Sequence, residues 1–425
     1  MSAATEEPSP FWRSARVYAL ASLFGALLHV AHLAWTHLLT PEEYGRFGNL
    51  QVLFSFAIAT LSLTPQPYVL AHLHTLTKDR LARNLGALFP LALAAGALAV
   101  LATTLLPAGA LEVLGEGTPR WAVAGVVAAA ALASGRLMAQ AVAEARGRPG
   151  PAAAWIEVVD GVRPLVAFTL FFSIGLGWEA RWAGLVLAHC GAGLLAVVLL
   201  RRQGWLRAPG GEAELGPTLR FVVPTLLTTL AYVAYDGGDR LVLTHFHGLG
   251  ASGRYDVAYR LALLGQTVNL VLRRSFTPLF YAAYAGRRLD EARSLLLATT
   301  RRTLLFTLPL AFGLPAVLAF LPVLGEGYEG ALGILPVVAL GIAFWGVQTL
   351  WQQVLLAAGR ASLPLYVSAA GAVLNLGLNV LLVPRFAEMG AAAATLASFV
   401  AMALAAALLA RPYLKPDYLK PGDGA

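Results

Sequence analysis

Long apolar runs follow one another along the whole chain, with only short connections between them. A helix that crosses a bilayer needs about 20 mostly apolar residues, and each run is of that order. Charged residues make up 13% of the chain, against about 25% in soluble domains, so the ionic surface that a soluble fold needs is missing. The sequence therefore predicts an all-α integral membrane protein, a multi-pass protein of about 12 transmembrane helices in a lipid bilayer. The predicted spans cover residues 15–38, 47–70, 85–106, 121–143, 153–176, 182–200, 219–244, 253–283, 303–324, 331–357, 361–383 and 390–410.

The positive charges indicate which way these spans point, because the cytoplasmic connections of membrane proteins are enriched in lysine and arginine. With the N-terminus in the cytoplasm, 20 of the 31 basic residues fall on the cytoplasmic connections. Five fall on the opposite side, namely Arg46, Arg120, Arg181, Arg254 and Arg385. The alternation predicts an N-in, C-in topology. The net charge of +8 then reflects basic inner connections and indicates no nucleic-acid partner.

The two halves of the chain share three pairs of short motifs, which recur in the same order at offsets of 208, 210 and 212 residues. The pairs are Gly45–Phe47 with Gly253–Tyr255, Val113–Gly117 with Val323–Gly327, and Gly147–Arg148 with Gly359–Arg360. Six spans per half is an even number, so the sequence predicts two parallel six-helix lobes, residues 1–212 and 213–425. Transporters built in this way bind their substrate near the membrane midplane between the halves and rock to alternate access. The architecture alone therefore favours a transporter.

Several stretches from both halves resemble the polysaccharide flippase family. These are Leu39–Gly45, Gly238–Leu243, Leu249–Gly250, Gly253–Tyr255, Ala258–Tyr259, Leu324–Tyr328, Ala331, Ala357–Arg360, Asn375, Asn379, Pro384 and Gly390–Thr395. The resemblance covers residues 15–410 and implies the O-antigen and exopolysaccharide branch of the multidrug/oligosaccharidyl-lipid/polysaccharide exporter superfamily. It implies transport of undecaprenyl-diphosphate-linked oligosaccharides across the cytoplasmic (inner) membrane for lipopolysaccharide or other surface polysaccharide. It also implies a polysaccharide polymerase and glycosyltransferases as partners.

Eleven ionisable residues lie within the predicted spans. On insertion scales such a residue costs about 2.5–3.5 kcal/mol at the bilayer centre. These residues must therefore pair with one another, reach the membrane surface or face a water-filled cavity. They are Arg136, Glu157, Asp160, Arg163, Asp236, Asp239, Arg240, Asp256, Arg260, Arg273 and Arg274.

The fifth span carries Glu157, Asp160 and Arg163 at positions i, i+3 and i+6, which places them on roughly one helical face. Arg163 lies near the predicted midplane, where its guanidinium could hold phosphate oxygens in a bidentate manner. The alternative is an internal ion pair between Asp160 and Arg163 that stabilises the helix bundle. The sequence leaves both interpretations open.

The outer part of the seventh span carries Asp236, Asp239 and Arg240, and the eighth span begins with Asp256 and Arg260. A pair between Asp239 and Arg260, or between Arg240 and Asp256, would make a salt-bridge lock near the outer mouth. The alternative is a permanent structural pairing. An unpaired aspartate here could also carry a coupling proton. We therefore treat all five acids within the predicted spans as candidate coupling residues: Asp236, Asp239, Asp256, Glu157 and Asp160.

Three further arginines lie toward the predicted cytoplasmic side. Arg273 and Arg274 are either two more positive-inside charges, if the eighth helix leaves the membrane there, or contacts for the substrate diphosphate. Arg136, in the inner part of the fourth span, has the same two interpretations. With Arg163, Arg240 and Arg260, they make up the predicted substrate-binding or gating arginines.

Uncharged polar residues occur in the spans of both halves. Amides suit sugar hydroxyls, although they also hydrogen-bond one helix to another. Their presence in both halves favours a polar lumen. The predicted lumen residues are His29, His32, Gln266, Asn269, Gln348, Asn375 and Asn379.

The sequence argues against several other functions. It has no Gly-x-x-x-x-Gly-Lys phosphate loop, and its connections are too short for a catalytic domain, so we expect a transporter that is not an enzyme and needs no cofactor. The single cysteine, Cys190, allows neither a disulfide framework nor a thiolate metal site. The serious alternative is the drug/cation antiporter branch of the same superfamily. Those proteins commonly carry an acidic site in the first span, where this chain has histidines.

Overall fold

The computed structural model describes residues 33–63, 65–73, 76–146, 149–208, 210, 215–321, 323–360 and 362–415. Within these residues the regular structure is entirely helical, which confirms the predicted all-α fold. The α-helices are α1 (Pro41–Leu61), α2 (Pro65–His72), α3 (Lys78–Leu105), α4 (Arg120–Ala145), α5 (Pro149–Ile174), α6 (Trp178–Arg202), α7 (Leu215–Ala285), α8 (Leu289–Ala319), α9 (Gly330–Ala357) and α10 (Ser362–Ala410). The described residues also form two short 3-10 helices, Ala108–Leu114 and Arg411–Leu414.

The start of α1 shows how local sequence sets a helix boundary. Thr40 is the N-cap, its hydroxyl accepting a hydrogen bond from the backbone N–H of Glu43 at 3.3 Å, while the Glu43 carboxylate accepts from the Thr40 N–H at 3.0 Å. This reciprocal capping box, with Pro41 in the first helical turn, begins the helix at residue 41, whereas the apolar pattern predicted 47. The predicted span 47–70 is also interrupted after Leu61, because Leu63 has a φ of 55°.

Two pairs of predicted spans form single bent helices. In α7 the bend is at Gly248, whose φ of 78° is a conformation that glycine adopts at little cost. In α10 the bend is at Ala387, with a φ of 46°. The seventh and eighth predicted spans, and the eleventh and twelfth, are therefore joined by one residue of non-helical backbone. Sequence reasoning placed short loops at both points.

Six described segments are long and apolar enough to cross a membrane. Their outward faces carry large apolar side chains: Leu105, Val373 and Leu305 are 77%, 75% and 63% exposed. Such continuous apolar exposure would be a liability in water and is expected against lipid. The segments are Lys78–Leu105, Arg120–Ala143, Trp178–Arg202, Leu289–Ala319, Gly330–Ala357 and Ser362–Leu414.

Residue contacts divide the chain into two compact units. The N-unit consists of Leu38–Gly253, and the C-unit consists of Arg254–Ala425 with the residues up to His37. The predicted lobes, 1–212 and 213–425, follow the sequence repeat and stay a prediction. Contacts group the segment that ends at His37 with the second half of the chain, and the seventh predicted span with the first half.

Each unit has a central helix. In the N-unit, α4 packs against α1, α3, α5 and α6, and it is rich in alanine. Small residues let helix backbones approach closely, and a Cβ at Gly193 on α6 would overlap the carbonyl oxygen of Leu132 on α4. In the C-unit, α9 packs against both α8 and α10. The central helices therefore bring side chains from several spans to the interior of each unit.

Candidate functional site

The interior of the N-unit contains a basic cluster, which we define as Arg136, Arg163 and His189. Arg163 lies on α5 and donates from Nη2 to the Oε1 atom of Gln51 on α1 at 3.4 Å. Arg136 on α4 is 8% exposed and donates from Nη1 to Gln140 at 3.2 Å. Both arginine charges act on the ring of His189 on α6. Four helices thus contribute to one basic site.

Close helix packing positions this cluster. A Cβ at Gly184 on α6 would overlap the carbonyl oxygen of Arg163, so only a glycine lets α6 approach α5 at this level. One turn beyond, His189 is 5% exposed and its ring lies 4.4 Å from that of Phe54 on α1. The His189 Nδ1 atom has no hydrogen-bond partner among the described residues. The arrangement thus holds a buried imidazole with a nitrogen open to a ligand or water.

The chemistry of the basic cluster suits an anion. The cluster and its hydrogen-bond partners comprise two guanidiniums, a histidine and two glutamine amides, and a guanidinium offers two parallel N–H donors to a phosphate. Arg136 and Arg163 were both predicted as substrate-binding candidates. The side chains of Glu157 and Asp160 lie outside the described residues.

Sequence reasoning missed Gln51, Gln140 and His189. Each of them is a single polar residue within a predicted span. An ionisable residue inside a span is a functional candidate by default, so His189 could have been predicted as a site residue from the sequence. Arg181, which the charge pattern places on the outer side, is 4% exposed, with its guanidinium 4.3 Å and 4.2 Å from the ring centroids of Tyr44 and Phe47.

Two buried acid–base pairs lie on α7, one before and one after the bend at Gly248 in the sequence. In the N-unit, Asp239 accepts from the backbone N–H of Arg240 at 2.9 Å and from its guanidinium at 3.4 Å. In the C-unit, Arg260 donates from Nε to Asp256 at 2.6 Å, one helical turn away. Within each unit, then, these residues pair with neighbours on the same helix. A pairing between Asp239 and Arg260, or Arg240 and Asp256, stays a prediction, and the Asp236 side chain lies outside the described residues.

The predicted amides of the C-unit are buried among its helices. Asn269 donates to the carbonyl oxygen of Ile342 at 2.9 Å, and Asn379 donates to the backbone and side-chain oxygens of Asn375 at 2.9 and 3.0 Å. One side-chain atom of each of four amides has no hydrogen-bond partner among the described residues. These atoms are Asn269 Oδ1, Gln348 Oε1, Asn375 Nδ2 and Asn379 Oδ1. Buried polar atoms of this kind call for water or a polar ligand.

The remaining predicted residues fall into two groups. Gln266 and Arg273 are half-buried on α7. Arg273 lies 25 residues after the bend at Gly248, which is about 38 Å of helix and more than the roughly 30 Å hydrocarbon core. That length favours a positive-inside charge at the membrane surface. His29, His32 and the side chain of Arg274 lie outside the described residues.

No metal centre is built from the described part of the chain, where no three His, Cys, Asp or Glu side chains come close enough together to hold an ion.

Comparison with known proteins gives the fold its context. Residues 326–419 match the sequence profile of the lipid II flippase MurJ. The structure is similar to that of the lipid II flippase MurJ in an inward closed conformation, with a TM-score of 0.77, 13% identity, and coverage of 93% of this chain and 87% of MurJ. It is also similar to an inward-facing multidrug resistance MATE family transporter of the MOP superfamily, with a TM-score of 0.74, 14% identity, and coverage of 95% and 96%.

A third solved structure is a MOP superfamily transporter from Pyrococcus furiosus, described as having a binding pocket of reverse polarity. Its TM-score is 0.61 at 15% identity, over 95% of both chains. No curated protein matches the sequence. The chain therefore has the fold of the MATE and MurJ transporters, which confirms the predicted all-α fold of many spans.

Proposed function

We propose that this chain is a flippase that moves polyprenyl-diphosphate-linked oligosaccharide units across the cytoplasmic membrane by alternating access. The observation that carries the proposal is the basic cluster of Arg136, Arg163 and His189 inside a unit of flippase and transporter fold. The match to the MurJ profile and the structural likeness to MurJ support a lipid-linked substrate. The resemblance to polysaccharide flippases supports an oligosaccharide unit in the O-antigen or exopolysaccharide class.

The shape of a guanidinium explains why the basic cluster suits a substrate anion. A diphosphate supplies two negative groups whose oxygens match the N–H fork of an arginine. The acids of α5 are the alternative partners of Arg163. The two interpretations differ in what happens when Arg163 is removed, as argued in the Discussion.

The buried amides of the C-unit complement the basic cluster. Asn269, Gln348, Asn375 and Asn379 present donors and acceptors without partners among the described residues, and sugar hydroxyls can satisfy both kinds of atom. We infer that these amides are the candidates for contact with the sugar hydroxyls of a glycan. The polyprenyl tail would stay in the lipid.

The buried aspartates are the candidates for ion coupling. Asp239 and Asp256 are each 1% exposed and lie beside arginines, so a change in pairing would change their tendency to take up a proton. Asp236, Glu157 and Asp160 remain candidates from the sequence. The membrane potential acting on an anionic substrate is the alternative driving force.

A drug/cation antiporter is the second candidate, supported by the likeness to MATE transporters. The charge of the N-unit cluster argues against it, because the buried guanidinium of Arg136 and the half-buried one of Arg163 repel a cationic drug at short range. The first-span histidines, His29 and His32, offer no fixed negative charge in its place.

Deletion of the gene in the native host tests the proposed function. We expect completed diphosphate-linked oligosaccharide to accumulate on the inner leaflet of the cytoplasmic membrane and surface polysaccharide to be lost. The sidedness is measured by labelling the glycan from outside in intact cells and in inverted vesicles. Complementation with the wild-type gene is the control. Normal lipid-linked pools together with new sensitivity to cationic drugs would instead assign the chain to the antiporter class.

A further inference from the structure

The internal repeat gives the arginines of the basic cluster counterparts in the second half of the chain. The motifs Gly147–Arg148 and Gly359–Arg360 set an offset of 212 residues, and the helices before them, α4 and α9, end at Ala145 and Ala357, at the same offset. This offset relates Arg136 to Gln348, Gln140 to Gln352 and Arg163 to Asn375. Both arginines of the first half therefore correspond to uncharged amides in the second half.

The counterparts in the C-unit lie deep inside that unit. Gln348 is 4% exposed and Asn375 is 2% exposed, against 8% for Arg136 in the N-unit. Gln348 lies on α9, the central helix of the C-unit, and Asn375 lies on α10, which packs against α9. In the N-unit the matching arginines lie on α4 and α5, which also pack against each other. The repeat therefore applies to the helix packing as well as to the sequence.

The amides of the C-unit have buried hydrogen-bonding atoms of both kinds that no described residue satisfies. The acceptors are Gln348 Oε1 and Asn379 Oδ1, and the donors are Gln352 Nε2 and Asn375 Nδ2. Asn379 lies one helical turn after Asn375 and donates to its side-chain oxygen at 3.0 Å. We call these four residues the amide set. Because buried polar atoms in proteins almost always have a partner, the amide set calls for an occupant.

The mixture of donors and acceptors indicates the chemical class of that occupant. A bare cation is bound by oxygen atoms alone, and an anion is bound by donors alone. The unsatisfied atoms of the amide set are two acceptors and two donors, and none of the four side chains is charged. A hydroxyl group both donates and accepts, so the groups that satisfy this set are the hydroxyls of a saccharide or water.

We propose that the amide set is a saccharide-binding site within the C-unit. Gln348 and Asn375 determine its specificity, because an amide at these two positions admits hydroxyl groups, whereas the arginines at the matching positions of the first half suit an anion. The inference rests on the proposed function, in which the saccharide is the glycan of the lipid-linked oligosaccharide. It concerns the C-unit alone and holds whatever the basic cluster of the N-unit binds.

The stability of a variant separates a binding role from a packing role. An amide that serves a ligand leaves its polar atom unsatisfied while the site is empty, so its replacement by an apolar side chain of similar size does not destabilise the fold. Gln348→Leu should therefore unfold at or above the wild-type temperature in the absence of saccharide. The measurement is thermal unfolding of the purified protein in lipid nanodiscs. A lower unfolding temperature together with unchanged saccharide binding would assign Gln348 to packing and overturn the proposal.

The binding test uses the purified full-length protein in nanodiscs, without sugar detergents, and two radiolabelled probes. The probes are the free oligosaccharide released from the lipid-linked pool of the host, and inorganic diphosphate. Gln348→Leu and Gln352→Leu should each weaken oligosaccharide binding about tenfold, because each removes a contact for a hydroxyl group. Both should bind diphosphate as the wild type does, which also shows that they are folded. Equal oligosaccharide binding by the wild type and both variants would leave water as the occupant and overturn the proposal.

The matched control is Gln353→Leu, on the same helix. Its amide already has partners, since Gln353 Oε1 accepts from the Tyr281 hydroxyl at 3.5 Å and Nε2 donates to the carbonyl oxygen of Thr349 at 3.3 Å. This variant should bind oligosaccharide as the wild type does. A loss as large as that of Gln348→Leu would show a general effect of the substitution on α9 and contradict the site.

Exchanging the two residue types tests the assignment of specificity. Gln348→Arg places a guanidinium at the position that matches Arg136 and should abolish oligosaccharide binding. Arg136→Gln should weaken the binding of diphosphate and not that of oligosaccharide. A wild type that binds diphosphate but no oligosaccharide would overturn this inference and leave the proposed anion site standing. A wild type that binds oligosaccharide but no diphosphate would support the amide set and count against the anion site of the proposed function.

Discussion

Replacing Arg163 by alanine is expected to reduce export of the lipid-linked oligosaccharide about thirtyfold or more, with the protein still inserted in the membrane. The physical reason is the loss of a partly buried, bidentate cation, and truncating one member of such a pair costs about 2 kcal/mol or more. The measurement is the outward transfer of diphosphate-linked oligosaccharide in cells that carry only the variant gene. Arg202→Ala, which removes an exposed arginine from the end of α6, is the matched control and should leave export unchanged.

Two companion variants identify what Arg163 does. Arg163→Lys keeps the positive charge but replaces the planar fork with a point charge, so export should remain well below wild type if the phosphate contact is bidentate. Gln51→Leu removes the side chain that receives the Arg163 N–H and should lower export less than the loss of the arginine. Normal export by Arg163→Ala would show that the arginine serves the packing of α5 and not the substrate.

The second large effect is expected at the buried pair of Asp256 and Arg260. Asp256→Ala should lower the stability of the protein by about 3 kcal/mol, because Arg260, 7% exposed, loses the carboxylate that lies 2.6 Å from its Nε atom. The measurement is thermal unfolding of the purified protein in detergent. Asp290→Ala, which removes an exposed acid from the start of α8, should unfold close to the wild-type temperature.

A double substitution separates stability from transport at the same position. Asp256→Leu with Arg260→Met removes both charges and should recover most of the lost stability, since no buried charge is left unpaired. If the pair takes part in gating or coupling, export should remain lost in the stable double variant. Wild-type export by that variant would assign the pair to structure alone.

The sequence was sufficient for the fold class because the bilayer allows so few solutions. Apolar runs of about 20 residues must satisfy their backbone groups internally, which makes them helices whatever their neighbours are. Helix boundaries were predicted less well, because they depend on single residues. Thr40 begins α1 ahead of its apolar run, and Gly248 bends a helix where a loop was expected.

Of the residues in the candidate site, only the arginines could be predicted from the sequence. Arg136 and Arg163 could be identified because an arginine within an apolar run is costly and needs a reason. Their partners could not be identified: Gln51 lies 112 positions from Arg163, and His189 reaches the cluster only because Gly184 lets α6 approach α5. Contacts of this kind depend on which helices pack together, and no local pattern encodes that.

The sequence by itself determined that the chain is a membrane protein of apolar helices with a two-fold repeat, since hydropathy and the repeat are properties of the residues alone. Only the tertiary structure decided that Thr36 meets the loop around Gly325 and that Thr244 meets Asn49, so that each half's first span ends against the other half. The physical reason is that a hydrogen bond between distant segments requires both to be placed by the packing of whole helices, and glycine contacts are decided by the backbone that approaches them.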